Sequence, residues 1–582
     1  MHQHFNYMAC LQKRHLATFS KLLLRSRDGN VAILFAVLSM PMLMLSGAAI
    51  DYGFATRLET KLQAATDATA LLLCQTPLTT TTADLNAMAQ TTMTGAMGLT
   101  DLVVDPLIIT DNPRQITLKA HKVSTTFFGK LTGTARINPG AKSQCATPLP
   151  KTFEIALVLD NTGSMAASSG GQSKLQAAQT AATNFVNYVY SSNAFSSATR
   201  IAIVPFAGAV AVNPATYRYA TWIDQAGQSA YHWTNVLSAA SSNFVNRFDI
   251  FTKLQAVNSG WSWGGCLESL PYPLNVQDGA PTSGSKDSYF VPLFAPDEPG
   301  DATSTYRGYT DSSGSYWSYN SYIDDDTSST VGSCAINKNL SYDASLGRAC
   351  KYVSPRNPIS SSYVGIPNGP NFGCTTQPLQ PLTNDQGVLK TLIGKMAPLG
   401  STNIHEGFMW GWRTLSPKSV FSSSYSSLNA PAAYAVTSST TNATTINKII
   451  ILMTDGTNSW TANTSAPTGS LYFAAGYFQN ANNTSANARM PTQYQNVSDA
   501  NGARNALDQL TKEACYNARQ VNISIYTIGF SIASDPIDAA GQTLLKNCAS
   551  SPSQFFLANN ADDLIGAFQK IQASIGALRL TQ

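Results

Sequence analysis

The chain has 582 residues, of which 43% are hydrophobic and 12% are charged, and its formal net charge is +4. This length exceeds that of one ordinary domain, and the apolar share is sufficient for a buried core. The small net charge and the lack of a basic tract interleaved with aromatic residues give no support for nucleic-acid binding.

The first predicted element is the uncharged run at residues 31–50, which is long enough to cross a bilayer as a helix. Basic residues precede it, so residues 1–30 are expected to stay in the cytoplasm and the remainder to be exported. These residues are Lys13, Arg14, Lys21, Arg25 and Arg27. The alternative is a cleaved signal peptide, because Ser46-Gly47-Ala48 has the small residues of a cleavage site.

Residues 51–150 predict a membrane-proximal helix followed by a small β module. Apolar residues recur at helical spacing from Phe54 to Cys74, and a Thr/Pro-rich break follows at residues 75–82. Short segments of β-type composition then lie between turn signals, at residues 107–109, 115–120 and 135–137.

Residues 151–582 predict an α/β domain with a doubly wound, mostly parallel sheet, because strands and helices alternate along it. The predicted strands are 153–160, 200–206, 448–454, 522–530 and 555–557, and the predicted helices are 173–190, 503–520 and 562–575. The alternation is interrupted at residues 214–382, a polar and aromatic stretch that is too long for a bare loop. We interpret it as an insertion partly ordered by disulfides, with smaller insertions at 420–446 and 457–500.

Eight of the nine cysteines follow the apolar run, and Cys10 precedes it. An even number in an oxidising compartment indicates disulfides. Cys515 and Cys548 flank the same predicted strand and are expected to pair. Cys334 and Cys350 are close in sequence, Cys74 and Cys145 would clamp the membrane-proximal module, and Cys266 is left with Cys374.

Three short segments carry the candidate site. Asp160, Thr162 and Ser164 follow the first predicted strand of the α/β domain, and Asp455 follows another strand. Thr402 lies on a glycine-initiated loop before a helix. Open α/β sheets bind ligands at the carboxyl ends of their strands, so these loops are expected to meet there. A purely structural alternative is that the two aspartates only cap turns or helices.

These segments, in this order, resemble the metal-ion-dependent adhesion site of von Willebrand factor A-type (vWA) domains, over roughly residues 152–575. The resemblance implies that the hydroxyls of Thr162, Ser164 and Thr402 bind the metal directly, while Asp160 and Asp455 orient bound water. Thr162 stands where serine is commoner, and it keeps the hydroxyl. Oxygen ligands suit Mg²⁺, or Mn²⁺ or Ca²⁺, and a carboxylate from a protein partner is expected to complete the coordination.

Enzymatic alternatives are weaker. The stretch at residues 260–264, GWSWG, matches a serine-nucleophile pattern but lacks the flanking strand and helix. His405 is the only later histidine and is expected to be a packing or surface residue. A metal-dependent hydrolase would need a convergent acid/base set, so we predict that the protein is not an enzyme.

A second resemblance lies at the N-terminus. RDGNVAILFAVL at 27–38, GAAIDYG at 47–53 and LQAATDATA at 62–70 are similar to the TadE/TadG family of tight-adherence (Flp-type) pilus assembly proteins. WGGCLE at 263–268 and FAPDEP at 294–299 extend this resemblance. It implies a single-pass protein of the bacterial inner membrane with a periplasmic body, acting in pilus assembly or adhesion. The alternative is a vWA envelope adhesin or scaffold unrelated to pili.

Overall fold

The computed structural model describes most of the chain from residue 30 to residue 577. The continuous ranges are 30–76, 80–110, 114–129, 133–146, 151–169, 171–192, 194–299, 319–323, 342–355, 366–425, 430–434, 446–480 and 489–577. Residue 487 and five two-residue strands at 310–311, 314–315, 330–331, 334–335 and 362–363 are also described. The chain divides into two compact units, Met1–Leu149 and Pro150–Gln582.

The first unit begins with one continuous helix, α1 (Asn30–Cys74). It joins the predicted membrane span to the predicted membrane-proximal helix without a break, and Pro41 lies inside it. Among the described residues it is the one helix that is long and apolar enough to cross a membrane, judged by length and composition. The predicted cytoplasmic segment lies outside the described residues.

A small antiparallel sheet packs against α1. Its central strand, β3 (Gln115–His121), pairs with β1 (Val103–Val104), β2 (Ile108–Thr110) and β6 (Gly140–Ala146). The two-residue strands β4 (Ser124–Thr125) and β5 (Arg136–Ile137) form a separate pair. Helix α2 (Thr82–Met97) completes the unit. Neither α2 nor β6 was predicted. The sequence of β6, GAKSQCA, has small and polar residues in place of a β-type apolar pattern.

The second unit contains a six-stranded mixed sheet. Its strands are β7 (Phe153–Asp160), β8 (Arg200–Phe206), β9 (Gln380–Thr383), β10 (Asn447–Thr454), β11 (Ser524–Phe530) and β12 (Phe555–Ala558). The spatial order is β9-β8-β7-β10-β11-β12, and all neighbours are parallel except β9 and β8. Every residue of β7 is buried, as its continuous apolar sequence predicts for a central parallel strand.

Helices cover both faces of this sheet. One face packs against α3 (Lys174–Ser191), α7 (Gln386–Lys395) and α11 (Ala561–Ala577). The other packs against α8 (Ile404–Leu415), α9 (Ala500–Gln520) and α10 (Ala539–Cys548). Three shorter helices lie between β8 and β9 in the sequence: α4 (Pro214–Tyr217), α5 (Arg247–Val257) and α6 (Tyr342–Leu346). The predicted α/β class is therefore confirmed.

The predicted insertion at 214–382 needs a correction at its end, because the edge strand β9 lies across that boundary. This four-residue strand contains Pro381 and has no alternating pattern, so the sequence gives no strand signal there. The insertion is also part of the core. Its buried aromatic residues, among them Trp222, Phe248 and Phe294, join the same hydrophobic cluster as Val158 of β7.

Buried ion pairs hold the insertions together. The carboxylate of Glu268, in the WGGCLE stretch, accepts hydrogen bonds from Arg247, Arg489 and Tyr472, all of them buried. Two of these donors come from the 457–500 insertion, so Glu268 joins the two inserted segments. In FAPDEP, Asp297 pairs with Lys351 at 3.1 Å. Both stretches thus supply buried carboxylates whose ion pairs connect segments of this unit.

Three predicted disulfides are confirmed. Cys74 is bonded to Cys145, Cys266 to Cys374 and Cys515 to Cys548. The fourth predicted pair, Cys334 with Cys350, involves a side chain outside the described residues.

Candidate functional site

The candidate site lies where the order of the sheet reverses. Strands β7 and β10 are adjacent and parallel, yet β8 and β9 continue to one side of β7 while β11 continues beyond β10. The helical connections after β7 and β10 therefore leave in opposite directions, which opens a crevice at the carboxyl ends of these strands. Asp160 is the last residue of β7, and Asp455 directly follows β10.

The loop after β7 folds around the Asp160 carboxylate, which is fully buried. The Thr162 backbone N–H donates to Asp160 Oδ1 at 2.8 Å, and Thr454 Oγ1 donates to Asp160 Oδ2 at 2.6 Å. The Thr162 and Ser164 hydroxyls lie 3.0 Å apart. Asp160 thus fixes the loop that presents the two hydroxyls.

Asp455 faces the same loop from the neighbouring strand. Ser164 Oγ donates to Asp455 Oδ1 at 2.8 Å, and Lys174 Nζ donates to Asp455 Oδ2 at 2.9 Å. The same Lys174 ammonium contacts Asp535 Oδ2 at 2.6 Å. Both carboxylate oxygens of Asp455 therefore have partners within the protein.

Thr402 reaches this place from a third loop. A Cβ atom built on Gly456 would lie 3.6 Å from Thr402 Oγ1 and 3.9 Å from Ser164 Oγ. The missing side chain of Gly456 therefore leaves a space that both hydroxyls border. The structure brings all five predicted site residues to one edge of the sheet.

Backbone hydrogen bonds lock the loops to one another. Gly163 N donates to Gly400 O, and Leu399 N donates to Asn161 O, both at 2.9 Å. Gly400 has a φ of +82°, a conformation that other residues rarely adopt, which explains why glycine begins this loop. Ser459 N donates to Thr402 O at 2.8 Å, so the 457–500 insertion also supports the site.

Burial sets the electrostatics of the two carboxyls. Burial and repulsion by Asp455 raise the pKa of the Asp160 carboxyl to about 7. Burial also raises the pKa of the Asp455 carboxyl, although the Lys174 ammonium opposes that shift. Each carboxyl would be stabilised in its charged form by a further cation nearby.

Lys174 is a site residue that the sequence analysis missed. It is the first residue of α3, and its side chain is fully buried between Asp455 and Asp535. A cation in the first turn of a helix is opposed by the helix dipole. That position was the available signal that Lys174 has an acidic partner elsewhere in the chain.

The residues present fit a small divalent cation. Three hydroxyls and two carboxylates from three loops are the oxygen donors that Mg²⁺ or Ca²⁺ prefers, and the space beside Gly456 is bordered by two of those hydroxyls. Within the described residues, no three His, Cys, Asp or Glu side chains cluster as a metal site. Hydroxyls would therefore have to supply a large part of the coordination.

A cavity of about 300 Å³ adjoins the site. Gly163, Gly400 and Ser401 of the site loops line one side, and Trp460, Tyr472 and Phe473 of the 457–500 insertion line another. The 457–500 insertion thus contributes aromatic walls beside the site.

Several solved structures are similar to this chain at low identity. The pilus adhesin SpaC from Lactobacillus rhamnosus GG is 11% identical with a TM-score of 0.30, and the match covers 82% of this chain and 35% of SpaC. The vWF domain of the type V pili tip protein Mfa5 from Porphyromonas gingivalis is 11% identical with a TM-score of 0.29, covering 74% of this chain and 97% of that domain. The pilus adhesin RrgA from Streptococcus pneumoniae is 10% identical with a TM-score of 0.30, and the match covers 81% of this chain and 49% of RrgA.

This chain spans about a third of the length of SpaC. TM-scores at this level assign neither fold nor function. No curated protein matches the chain. Residues 29–72, which form most of α1, match the model of a family described as putative Flp pilus-assembly TadE/G-like.

Proposed function

We propose that this protein is a membrane-anchored, non-enzymatic component of pilus assembly or adhesion. Its α/β unit is a vWA-type domain that binds a protein partner through a divalent cation. The observation that carries the metal site is the convergence of Ser164, Thr402 and Asp455 around the space beside Gly456. The alternative in which Asp160 and Asp455 only cap turns or helices does not require Thr402 to face that space.

In this proposal the hydroxyls of Thr162, Ser164 and Thr402 hold Mg²⁺, or Mn²⁺ or Ca²⁺. Asp160 already binds the Thr162 backbone and Thr454 through its two oxygens, so it acts by orienting the loop and bound water. The cation, held by neutral ligands, accepts a carboxylate from the partner. Because the protein supplies few charges directly, we expect affinity for the cation alone to be modest.

The pilus role is supported by the family match at residues 29–72 and by the apolar helix α1 in that region. We propose that α1 is a single span of the bacterial inner membrane, with the bulk of the chain in the periplasm. The bonded cysteines of both units suit an oxidising compartment.

A binding role is favoured over catalysis by the surroundings of His405. Its Nε2 donates to the backbone oxygen of Asn275 at 2.8 Å, and its side chain is buried in α8. Burial lowers the pKa of His405 and keeps the ring neutral. It is therefore a packing residue of α8.

Calorimetric titration of the detergent-solubilised full chain with Mg²⁺ and Mn²⁺ tests the metal site. Ser164→Ala and Asp160→Asn should weaken binding by about 10–100-fold. Ser168→Ala, which removes an exposed hydroxyl four positions from Ser164, should bind like the wild type. Equal binding by the wild type and Asp160→Asn would refute the assignment.

The partner is tested by affinity capture from cell envelopes with and without EDTA. A pilus protein that is retained with Mg²⁺ and released by EDTA is the expected result. Capture of only non-pilus envelope proteins would favour an adhesin or scaffold unrelated to pili.

A further inference from the structure

A short loop of the first unit lies against the end of the apolar part of α1. The run from Asn30 to Ile50 contains no charged residue, and Asp51 is the first one that follows it. Apolar side chains in this run are exposed on all sides of the helix, including Leu34, Phe35, Val37, Leu38, Met42, Leu43 and Leu45. A helix that is apolar all round needs a non-aqueous surrounding.

The carboxylate of Asp51 holds this loop. Phe127 N donates to Asp51 Oδ1 and Phe128 N donates to Asp51 Oδ2, both at 2.9 Å. The Asp51 side chain is buried as a result. Two backbone amides therefore satisfy the one carboxylate that stands where the uncharged run ends, and they attach the loop at that level.

Phe128 reaches further along the run. A Cβ atom built on Gly47 would lie 2.7 Å from both Cβ and Cγ of Phe128, so only glycine allows this ring to rest there. Gly47 lies four residues before Asp51, which is about one helical turn back into the uncharged run. The loop thus overlaps the last turn of the apolar segment.

Phe127 points outward from the same place. Its side chain is 79% exposed, and its ring centroid lies 6.1 Å from that of Phe54. Tyr52 and Phe54 are also exposed. These four residues, Tyr52, Phe54, Phe127 and Phe128, form what we call the aromatic collar.

We propose that the aromatic collar inserts into the headgroup–acyl boundary of the membrane, so that the Phe127–Phe128 loop is a second membrane contact beside the span. This inference rests on the proposed membrane span. Tyrosine is enriched at this boundary, and phenylalanine is common on the apolar face of interfacial segments, which insert about 5–10 Å into it. The loop's overlap of one turn with the apolar run matches that depth.

Charge also favours a lipid surface as the occupant. Arg136 is exposed on β5, directly opposite Thr125 of β4, two residues before Phe127. A cation beside an apolar loop is attracted by the anionic headgroups of a bilayer. A second copy of this chain would bring a second Arg136 to the same surface.

Photocrosslinking tests the proposal in the full-length chain. Benzoylphenylalanine replaces Phe127 in one variant and Ile108 in a matched control. Ile108 is exposed, but it lies opposite Thr117 of β3, and the adjacent Ile116 pairs with Cys145, which is bonded to the last residue of α1. Each variant is reconstituted into vesicles of phosphatidylethanolamine and phosphatidylglycerol, irradiated and analysed by mass spectrometry. We expect lipid adducts at position 127 and none at position 108.

A second variant tests the role of Asp51. Asp51→Ala removes the acceptor of both loop amides, so the lipid adduct at position 127 should decrease several-fold. If the chain resists carbonate extraction but position 127 gives adducts to protein alone, or no adducts, the loop contact is overturned and the span is left intact. Extraction of the chain by carbonate would overturn both the contact and the anchor.

Discussion

The ammonium of Lys174 lies 2.9 Å from the carboxylate of Asp455, and neither side chain is exposed. One cation therefore already stands beside the carboxylate that faces the candidate metal site. A bound divalent ion would add a second positive charge close to Lys174. The two cations should compete for the same carboxylate.

Replacing Lys174 with methionine tests this competition. In EDTA the variant should be destabilised by up to about 3–5 kcal/mol, because one partner of a buried pair is left alone. Mg²⁺ should restore more stability to the variant than to the wild type. Urea unfolding followed by tryptophan fluorescence measures both effects, since all eight tryptophans belong to the second unit. Lys390→Met, at an exposed position, is the control; an equal response to Mg²⁺ in both variants would argue against competition.

Gly456→Ala probes the space between the hydroxyls without removing any ligand. The added methyl group would meet Thr402 and Ser164 oxygens at ordinary contact distances of 3.6 and 3.9 Å, so the domain should fold. We expect weaker Mg²⁺ binding by calorimetry and nearly unchanged stability. Gly502→Ala, whose methyl group meets its neighbours at 3.7 and 3.8 Å in α9, should bind as the wild type does. Wild-type affinity in Gly456→Ala would place the cation elsewhere.

Glu268→Gln should be strongly destabilising. The change leaves the buried Arg247 and Arg489 without their shared negative charge. Breaking a buried pair in this way costs about 3–5 kcal/mol. Glu513→Gln removes a charge near the surface but keeps a side-chain oxygen that can accept the 3.3 Å hydrogen bond from Tyr272, so it should change the free energy of unfolding by less than about 1 kcal/mol. Similar urea midpoints for the two variants would contradict the structural role of Glu268.

The pH dependence of stability should include a contribution from His232. Burial lowers its pKa below the ordinary 6.5, although Asp224 opposes the shift through a 2.8 Å hydrogen bond. The unfolded chain therefore binds a proton more readily than the folded one, so stability is lost as the pH falls below about 6.5. Hydrogen bonds from His232 and two backbone amides outweigh burial and lower the pKa of Asp224 to about 2, so it stays charged in this range.

In His232→Gln, the free energy of unfolding should fall less steeply between about pH 7 and pH 5 than in the wild type. Part of the slope should remain, because burial also lowers the pKa of His405. Urea titrations at several pH values measure the slopes. Identical slopes would show that His232 gains its proton equally in the folded and unfolded states.

The sequence was informative where a local pattern reflects a local structure. The apolar run of β7 predicts a buried strand, and the end of that strand places Asp160 at the edge of the sheet. The same reasoning places Asp455 after β10. The Cys515–Cys548 bond could also be predicted, because the two cysteines flank the strong strand pattern of β11.

Contacts between distant residues were not accessible in this way. Lys174 and Asp455 are 281 positions apart, and Glu268 meets Tyr472 across 204 positions. The first contact depends on how loops from two strands of the sheet meet, and the second on how two insertions pack. No periodic pattern in the sequence records either arrangement. The edge strand β9 was missed for a related reason, since its pairing with β8 rather than its own composition makes it a strand.

The unbroken course of α1 has a mechanical consequence. From Asp51 to Cys74 the helix extends for about 36 Å beyond the uncharged run, and the Cys74–Cys145 bond ties its end to the small sheet. A helix resists twisting along its axis far better than a flexible linker does. Rotation of the uncharged run about the helix axis would therefore turn the small sheet by a similar angle, and torque applied to that sheet would reach the uncharged run.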